Sequence, residues 1–247
     1  MIEKLNDILN FLKKNRIYNK ELQIRYYSSF ILPYKTKEEK VISILYNIAS
    51  TQSQPKINNL SEFYKFIFED LNALNSFEDF INRINPNQQL SYESLYSGMN
   101  KQKGWGNKTS ALFTKSIFHL HNEEYPNFLK IWDDAPKILN DNDKLNLPVD
   151  AVIIAIFNSI KQHNWDFKKI NKLLKDKYTK LEIEIWDDLW FWGFITQEGT
   201  GTERIFKWNE NKYWMLKESD KNNNKINEIK YKAYEFLQII NGNRITI

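Results

Sequence analysis

A chain of 247 residues with 42% hydrophobic and 15% aromatic side chains can bury a sizeable core, which excludes a disordered protein. Cysteine is absent and only three histidines occur, so disulfides, thiolate zinc sites and cysteine-held iron–sulfur clusters are excluded and a histidine-rich metal centre is not expected. The formal charge of +4 is too small to name a partner, and seven glycines with six prolines are too few for many short strands, so the expected fold class is all-α.

Residues Ile2 to Lys14 place Ile2, Leu5, Ile8, Leu9 and Leu12 at the spacing of an amphipathic helix, not of a signal peptide. No apolar run reaches the length of a membrane span, and without cysteine the chain suits a reducing cytosol. A cytoplasmic protein with no membrane partner is expected. A second helix is predicted over Lys20 to Ile31, stopped by Pro33. Thr36 then reads as an N-cap with Glu39 as its capping-box partner, leading into Val41 to Ala49, a helix apolar almost all round and therefore central. The polar run Ser50-Thr51-Gln52-Ser53-Gln54-Pro55 leaves it. Such a run is ordinarily a loop, and it can also hold an amide out toward a ligand.

Further helices are predicted over Leu60 to Leu74, Phe77 to Ile84 and Ser91 to Met99. Gly104-Trp105-Gly106 breaks the pattern before a helix over Lys108 to His121. A polar connection with a short helix near Phe128 to Leu139 leads to Leu147-Pro148-Val149-Asp150, and Ala151 to Ile160 is the second helix apolar on almost every side. Lys168 to Tyr178 reads as a basic amphipathic helix, and Leu181 to Ile195 as a very aromatic one. Arg204 to Trp208 and Lys212 to Leu216, separated by Asn209-Glu210-Asn211, are expected to form a small β-hairpin. A basic linker, Lys217 to Lys225, precedes a last helix over Ile226 to Ile240, ended by Gly242. The expected organisation is a helical core over 1–203, followed by a hairpin and helix over 204–247. There is no internal repeat and no glycine-rich nucleotide motif.

Charge is unevenly spread. Between Ser97 and His121 stand Lys101, Lys103, Lys108 and Lys115 with no acidic residue, acids dominate from Glu123 to Asp143, and lysines return from Lys161 to Lys180. Two basic blocks flanking one aspartate suit a polyanion; solvated helix faces explain such lysines equally well.

Two residues could carry chemistry. Lys108 follows a glycine turn at the start of a helix, where unpaired backbone N–H groups supply the positive potential that an amine nucleophile needs to be available unprotonated. The alternative is a surface lysine after a turn. Asp150 precedes an apolar helix, so it reads as an N-cap, and a carboxylate held there can also stabilise an oxocarbenium-like sugar and move a proton as a base leaves. An amine and a carboxylate acting on one anomeric carbon make a glycosidase that proceeds through a Schiff base. Aromatic side chains can stack on a base taken out of a duplex, and the candidates are Trp105, Leu112 or Phe113 one turn after Lys108, and Trp190 or Trp192. Each of these also reads as plain core packing.

Taken in order, Ser-Thr-Gln-Ser after a buried helix, Gly-Trp-Gly-Asn-Lys-Thr-Ser opening another, and Leu-Pro-Val-Asp before a third resemble the helix-hairpin-helix DNA glycosylase superfamily. Lys108 to Lys115, and Trp186-Asp187-Asp188-Leu189-Trp190-Phe191-Trp192-Gly193, resemble the archaeal-type 8-oxoguanine DNA glycosylases (the AGOG family). The resemblance runs from about Val41 to Gly193, and each motif is short. It implies that Lys108 is the Schiff-base nucleophile, Asp150 the catalytic carboxylate beside Pro148, and Gln52 or Gln54 a contact to the flipped base or to the gap it leaves. Asp150 lies 42 positions after Lys108, about twice the spacing common in the superfamily. The archaeal-type members also enlarge this connection. With no cysteine the iron–sulfur branch is excluded. The protein so implied is a monomeric bifunctional glycosylase and abasic-site lyase that excises 8-oxoguanine in base excision repair, its core over 1–203 forming two lobes with the active-site cleft between them. It needs no cofactor or metal, and its partner is double-stranded DNA carrying a damaged base. Lys101, Lys103 and Lys115 would meet phosphates in a salt-sensitive way. The rivals are the same chemistry on another lesion, and a non-catalytic helical DNA- or protein-binding module in which Lys108 is only a phosphate contact.

Overall fold

The computed structural model describes residues 1–141, 143–201, 204–216 and 221–242. They are mostly helical, with one two-stranded antiparallel sheet. In chain order the helices are α1 (Ile2–Lys14), α2 (Arg16–Ile31), α3 (Lys37–Ala49), α4 (Ile57–Phe68), α5 (Phe77–Ile84), α6 (Tyr92–Lys101), α7 (Asn107–His121), α8 (Ala151–Ile160), α9 (Phe167–Lys177), α10 (Lys180–Ile185), α11 (Leu189–Ile195), α12 (Glu210–Met215) and α13 (Asn223–Asn241). The strands are β1 (Gln197–Glu198) and β2 (Ile205–Phe206). None of the described helices is long and apolar enough to cross a membrane. The chain divides into two compact units, Met1–Arg25 with Val149–Ile247, and Tyr26–Pro148.

In the unit formed by 26–148, α3 starts with the expected capping box. Thr36 Oγ1 accepts from Glu39 N at 3.2 Å and Glu39 Oε2 accepts from Thr36 N at 3.1 Å. Its buried face, Val41, Ile44, Leu45 and Ile48, packs against α7. The helix expected over Leu60 to Leu74 instead begins at Ile57 and stops at Phe68, and a separate 3-10 turn covers Leu71–Leu74. Asp70 between them is non-helical (φ −147°, ψ 85°), and Arg83 Nη2 donates to Phe66 O at 2.5 Å, taking a last-turn carbonyl of α4. Helices α5 and α6 carry side-chain caps from Ser76 and Ser91.

No helix forms over Phe128 to Leu139. Only a 3-10 turn, Asn127–Leu129, is present, because the polar groups of this connection are bound to other elements. His121 Nε2 accepts from Trp132 N at 3.0 Å, and Trp132 Nε1 donates to Leu74 O at 2.8 Å. The Asp134 carboxylate accepts from Phe77 N and Glu78 N at 3.0 and 2.9 Å, at the start of α5. Asp143 Oδ1 accepts from Glu93 N at 3.1 Å, at the start of α6. Asp134 and Asp143 thus sit at the positive ends of two helices. The long connection is built into the unit.

In the unit formed by 1–25 and 149–247, α8 is strongly apolar. It buries Val152, Ile153, Ala155, Ile156 and Phe157, the large ones each contributing about 1.5–3 kcal/mol. Helices α11 and α13 pack against it. Gly193 permits the close approach of α11, since a Cβ there would lie 2.6 Å from Ile156 Cδ1 and 2.8 Å from Val152 Cγ1. Gln197 Nε2 donates to Val152 O at 3.0 Å and ties the end of α11 to the first turn of α8.

The expected hairpin of 204–208 with 212–216 is corrected. Phe206 and Ile205 pair with Gln197 and Glu198, and 210–215 is helical. The cause is Asn209, whose side chain accepts from Lys212 N at 3.1 Å and so starts α12 where a turn was expected. Residues 217–220 of the expected basic linker lie outside the described residues. Helix α13 begins at Asn223 and ends on Gly242 in the left-handed conformation (φ +71°), as the position of that glycine requires.

Candidate functional site

Lys108 is the second residue of α7 and is partly exposed. The helix starts after Gly106, which has no side chain to cap it. The Thr109 hydroxyl instead reaches back, accepting from Gly106 N at 3.0 Å and donating to Gly106 O at 3.1 Å. The first-turn amides of α7 are therefore left without a side-chain acceptor. Among the described residues Lys108 Nζ has no hydrogen-bond or ion-pair partner.

The turn before α7 requires glycine. Gly104 has φ +81°, and a Cβ there would lie 2.9 Å from Leu60 N and 2.8 Å from Leu60 Cδ2. Gln52 Nε2 donates to Gly104 O at 3.2 Å. The polar run after α3 is thereby tied to the turn that sets Lys108. Gln54 is exposed.

Gln52 also borders a hollow of about 640 Å³ between α3, α4 and their connecting loop, walled by Tyr46, Pro55, Ile57, Tyr64 and Phe68. Tyr46 and Tyr64 stack face to face, centroids 4.0 Å apart and planes 6° apart. Burial pushes the Tyr64 phenol well above its ordinary range.

Asp150 is the N-cap of α8, as its position before an apolar helix predicts. Its Oδ1 accepts from Val152 N at 2.9 Å and Ile153 N at 3.1 Å. Its Oδ2 accepts from the indole of Trp190, Nε1 to Oδ2 3.1 Å. Trp190 is partly exposed and lies parallel to Phe194, centroids 4.9 Å apart and planes 12° apart. The Lys212 ammonium stands 5.2 Å from the Phe194 ring centroid, and burial lowers its proton affinity, with Arg204 adding to the effect. Pro148 and Val149, immediately before Asp150, are buried.

The other expected contacts divide. Leu112 is partly exposed on α7. Trp105 and Phe113 are core residues, 5.7 Å apart edge to face, with Phe63 against Trp105 and Phe80 against Phe113. Trp192 is 0% exposed and meets Phe11 and Tyr18 edge to face. For these three rings the packing reading replaces the stacking one, because their faces are already covered. Lys115 is only 1% exposed in the interior of α7, so its expected phosphate contact is corrected as well. Lys101 is exposed and donates to Asn85 Oδ1 at 2.8 Å. Lys103 is exposed and paired with Glu62.

Sequence reasoning missed two features. Trp190 was singled out as a ring, whereas its N–H is what meets Asp150. The other is Asp188, buried, with Asn19 Nδ2 donating to its Oδ1 at 2.6 Å. Burial holds its carboxyl well above the usual carboxylate range, against the opposing charge of Arg16. The paired acids of Asp187-Asp188-Leu189-Trp190 were the available signal, but only burial separates their roles. Comparison with protein-family models, with curated proteins and with solved structures found no match to this chain.

Proposed function

We propose that this protein is a DNA glycosylase with abasic-site lyase activity, of the helix-hairpin-helix type, that removes an oxidised purine, 8-oxoguanine first among them. In this reading Lys108 Nζ attacks C1′ of the flipped nucleotide and the glycosidic bond breaks. The departing base takes up a proton, and the amine and the opened sugar form an imine. Loss of a C2′ proton then expels the 3′ phosphate by β-elimination, nicking the strand. Asp150 stabilises the positive sugar and relays protons.

The observation that carries the reading is that both motif residues stand, partly exposed, at the first turn of a helix. The amine has no internal partner among the described residues, and the carboxylate is held by three donors. Support comes also from α6, the turn through Gly104 and α7, a helix–turn–helix joined to Gln52. The experiment is borohydride trapping on duplex DNA containing 8-oxoguanine. A covalent adduct with wild type that disappears in Lys108→Gln is expected. DNA binding without any adduct would defeat the lyase reading.

A second reading rests on the uncapped amides at the start of α7, which suit a phosphate oxygen with Lys108 beside it. In that case the protein is a non-catalytic DNA-binding module. Lys108→Gln would then weaken binding and reduce its salt dependence by about one counterion, and no base would be released from any lesion.

A further inference from the structure

The backbone of α8 fixes the Asp150 carboxylate at one oxygen only. Both backbone amides that reach Asp150, from Val152 and Ile153, end on Oδ1. Rotation of the carboxyl group about that anchored oxygen would leave Oδ2 free to swing, and any chemistry at Oδ2 would lose its aim. The Trp190 indole N–H meets Oδ2 at 3.1 Å and removes that freedom. An indole N–H can only donate, so it matches a carboxylate oxygen, which can only accept.

The indole is itself held. It lies parallel to Phe194 at 4.9 Å, Gly193 lets α11 close on Val152 and Ile156, and Gln197 bonds to Val152 O. The first turn of α8 is therefore packed against and bonded to α11 and the residue after it, and the partly exposed carboxylate stands at their junction. This arrangement lies outside the roles expected of Trp190, whose ring was to stack on a base.

We propose that Trp190 is a positioning residue for Asp150, its indole N–H fixing the plane of the carboxylate so that Oδ2 faces the reacting sugar; the inference rests on the glycosylase reading above. A carboxylate free to turn would be misaimed by an ångström or more, and such misplacement costs roughly 10- to 100-fold in rate.

Two measurements test it. In single-turnover base release from 8-oxoguanine duplex, Trp190→Phe keeps a ring on Phe194 and removes the donor. Release is expected to slow roughly 10- to 100-fold in an otherwise wild-type chain. In the Asp150→Asn background the same substitution is expected to change the residual rate less than about twofold, because the residue through which Trp190 acts is already disabled. Equal slowing in both backgrounds would mean a merely structural role and would overturn the proposal, as would a full rate for Trp190→Phe. The second measurement needs no Trp190 variant. With ¹⁵N-labelled tryptophan, Asp150→Asn should move one indole N–H resonance far more than the others, and an unchanged indole set would overturn the pairing. Wild-type protein that neither releases a base nor forms an adduct would overturn the glycosylase reading, and this inference with it. Active wild type with an indifferent Trp190 overturns this inference alone.

Discussion

Helices α7 and α8 begin in opposite ways. Helix α7 starts after a glycine, has no side-chain acceptor on its first amides and carries an amine at its second position. Helix α8 starts on an aspartate that takes two of its amides on one oxygen and an indole N–H on the other. Both starts present the positive end of a helix. One leaves that end open beside a cation, which suits an anion from outside. The other neutralises it from within. The difference teaches that a residue's chemistry and its structural task can be separable or fused. Lys108 can be replaced without breaking any described internal bond, whereas Asp150 cannot be replaced without disturbing three.

The comparison can be broken or sharpened by substitution at each start. The largest expected effect is on trapping. Lys108→Gln should lower the yield of borohydride adduct by more than about a thousandfold, read on a denaturing gel, since no second amine would replace a lost nucleophile. A persistent adduct would move the chemistry to another lysine and dissolve the contrast between the two helix starts. Next, Asp150→Asn should slow release of 8-oxoguanine by roughly 10²- to 10⁴-fold while duplex affinity, measured by fluorescence anisotropy, stays within about twofold. Full activity in that variant would leave Asp150 as a cap and nothing more.

Smaller effects concern stability. The far end of α7 carries His121, buried, with Nε2 accepting from Trp132 N, so the ring proton sits on Nδ1 and faces Ile117 O at 2.7 Å. Its pKa is brought down from the ordinary 6.5 to about 4, chiefly by burial and with a smaller contribution from Lys130, against the opposing effects of the bond to Ile117 O and of Asp134 and Asp133. The unfolded chain therefore takes up this proton first as pH falls. The His121 contribution is intact above pH 6.5 and is lost as pH drops from there through about 4, a change on the order of 3 kcal/mol to be followed by urea midpoints across that range. Asp150→Ala should cost about 1–2 kcal/mol through the lost cap, a fall of a few degrees in thermal midpoint. Lys108→Gln should stay within about 0.5 kcal/mol of wild type. A Lys108 variant as unstable as the Asp150 variant would show that the amine is structural after all.

Much of the fold was legible in local signals. The capping box of Thr36 and Glu39, the span Phe77 to Ile84, the start of the lysine helix and the glycine stop at Gly242 were all readable from cap residues and apolar spacing. Errors arose where a distant partner outweighed local preference. Arg204 to Trp208 looked like one arm of a hairpin with 212–216, but its partner lies on the other side, at Gln197 and Glu198, and Asn209 converts the supposed second arm into a helix. The stretch from Phe128 to Leu139 has helical spacing, yet the amides of Ile131 and Trp132 are turned toward the buried His121 and its Asp134 carboxylate goes to the start of α5. Of the candidate site, Lys108 and Asp150 could be named from their places at helix starts. The aromatic residues could not be sorted, because Trp105, Phe113, Trp190 and Trp192 look alike until burial separates them.

By itself the sequence determined the helical class, the positions of the two nearly all-apolar helices and the residues at their mouths, because each depends on composition, on a 3.6-residue period or on a cap within four positions. Tertiary structure alone decided which rings are covered, that Lys115 is interior, that Gln52 reaches Gly104, and that the second oxygen of Asp150 belongs to Trp190. The last two join residues 52 and 40 positions apart, and nothing in a local period specifies which side chain will be brought to which.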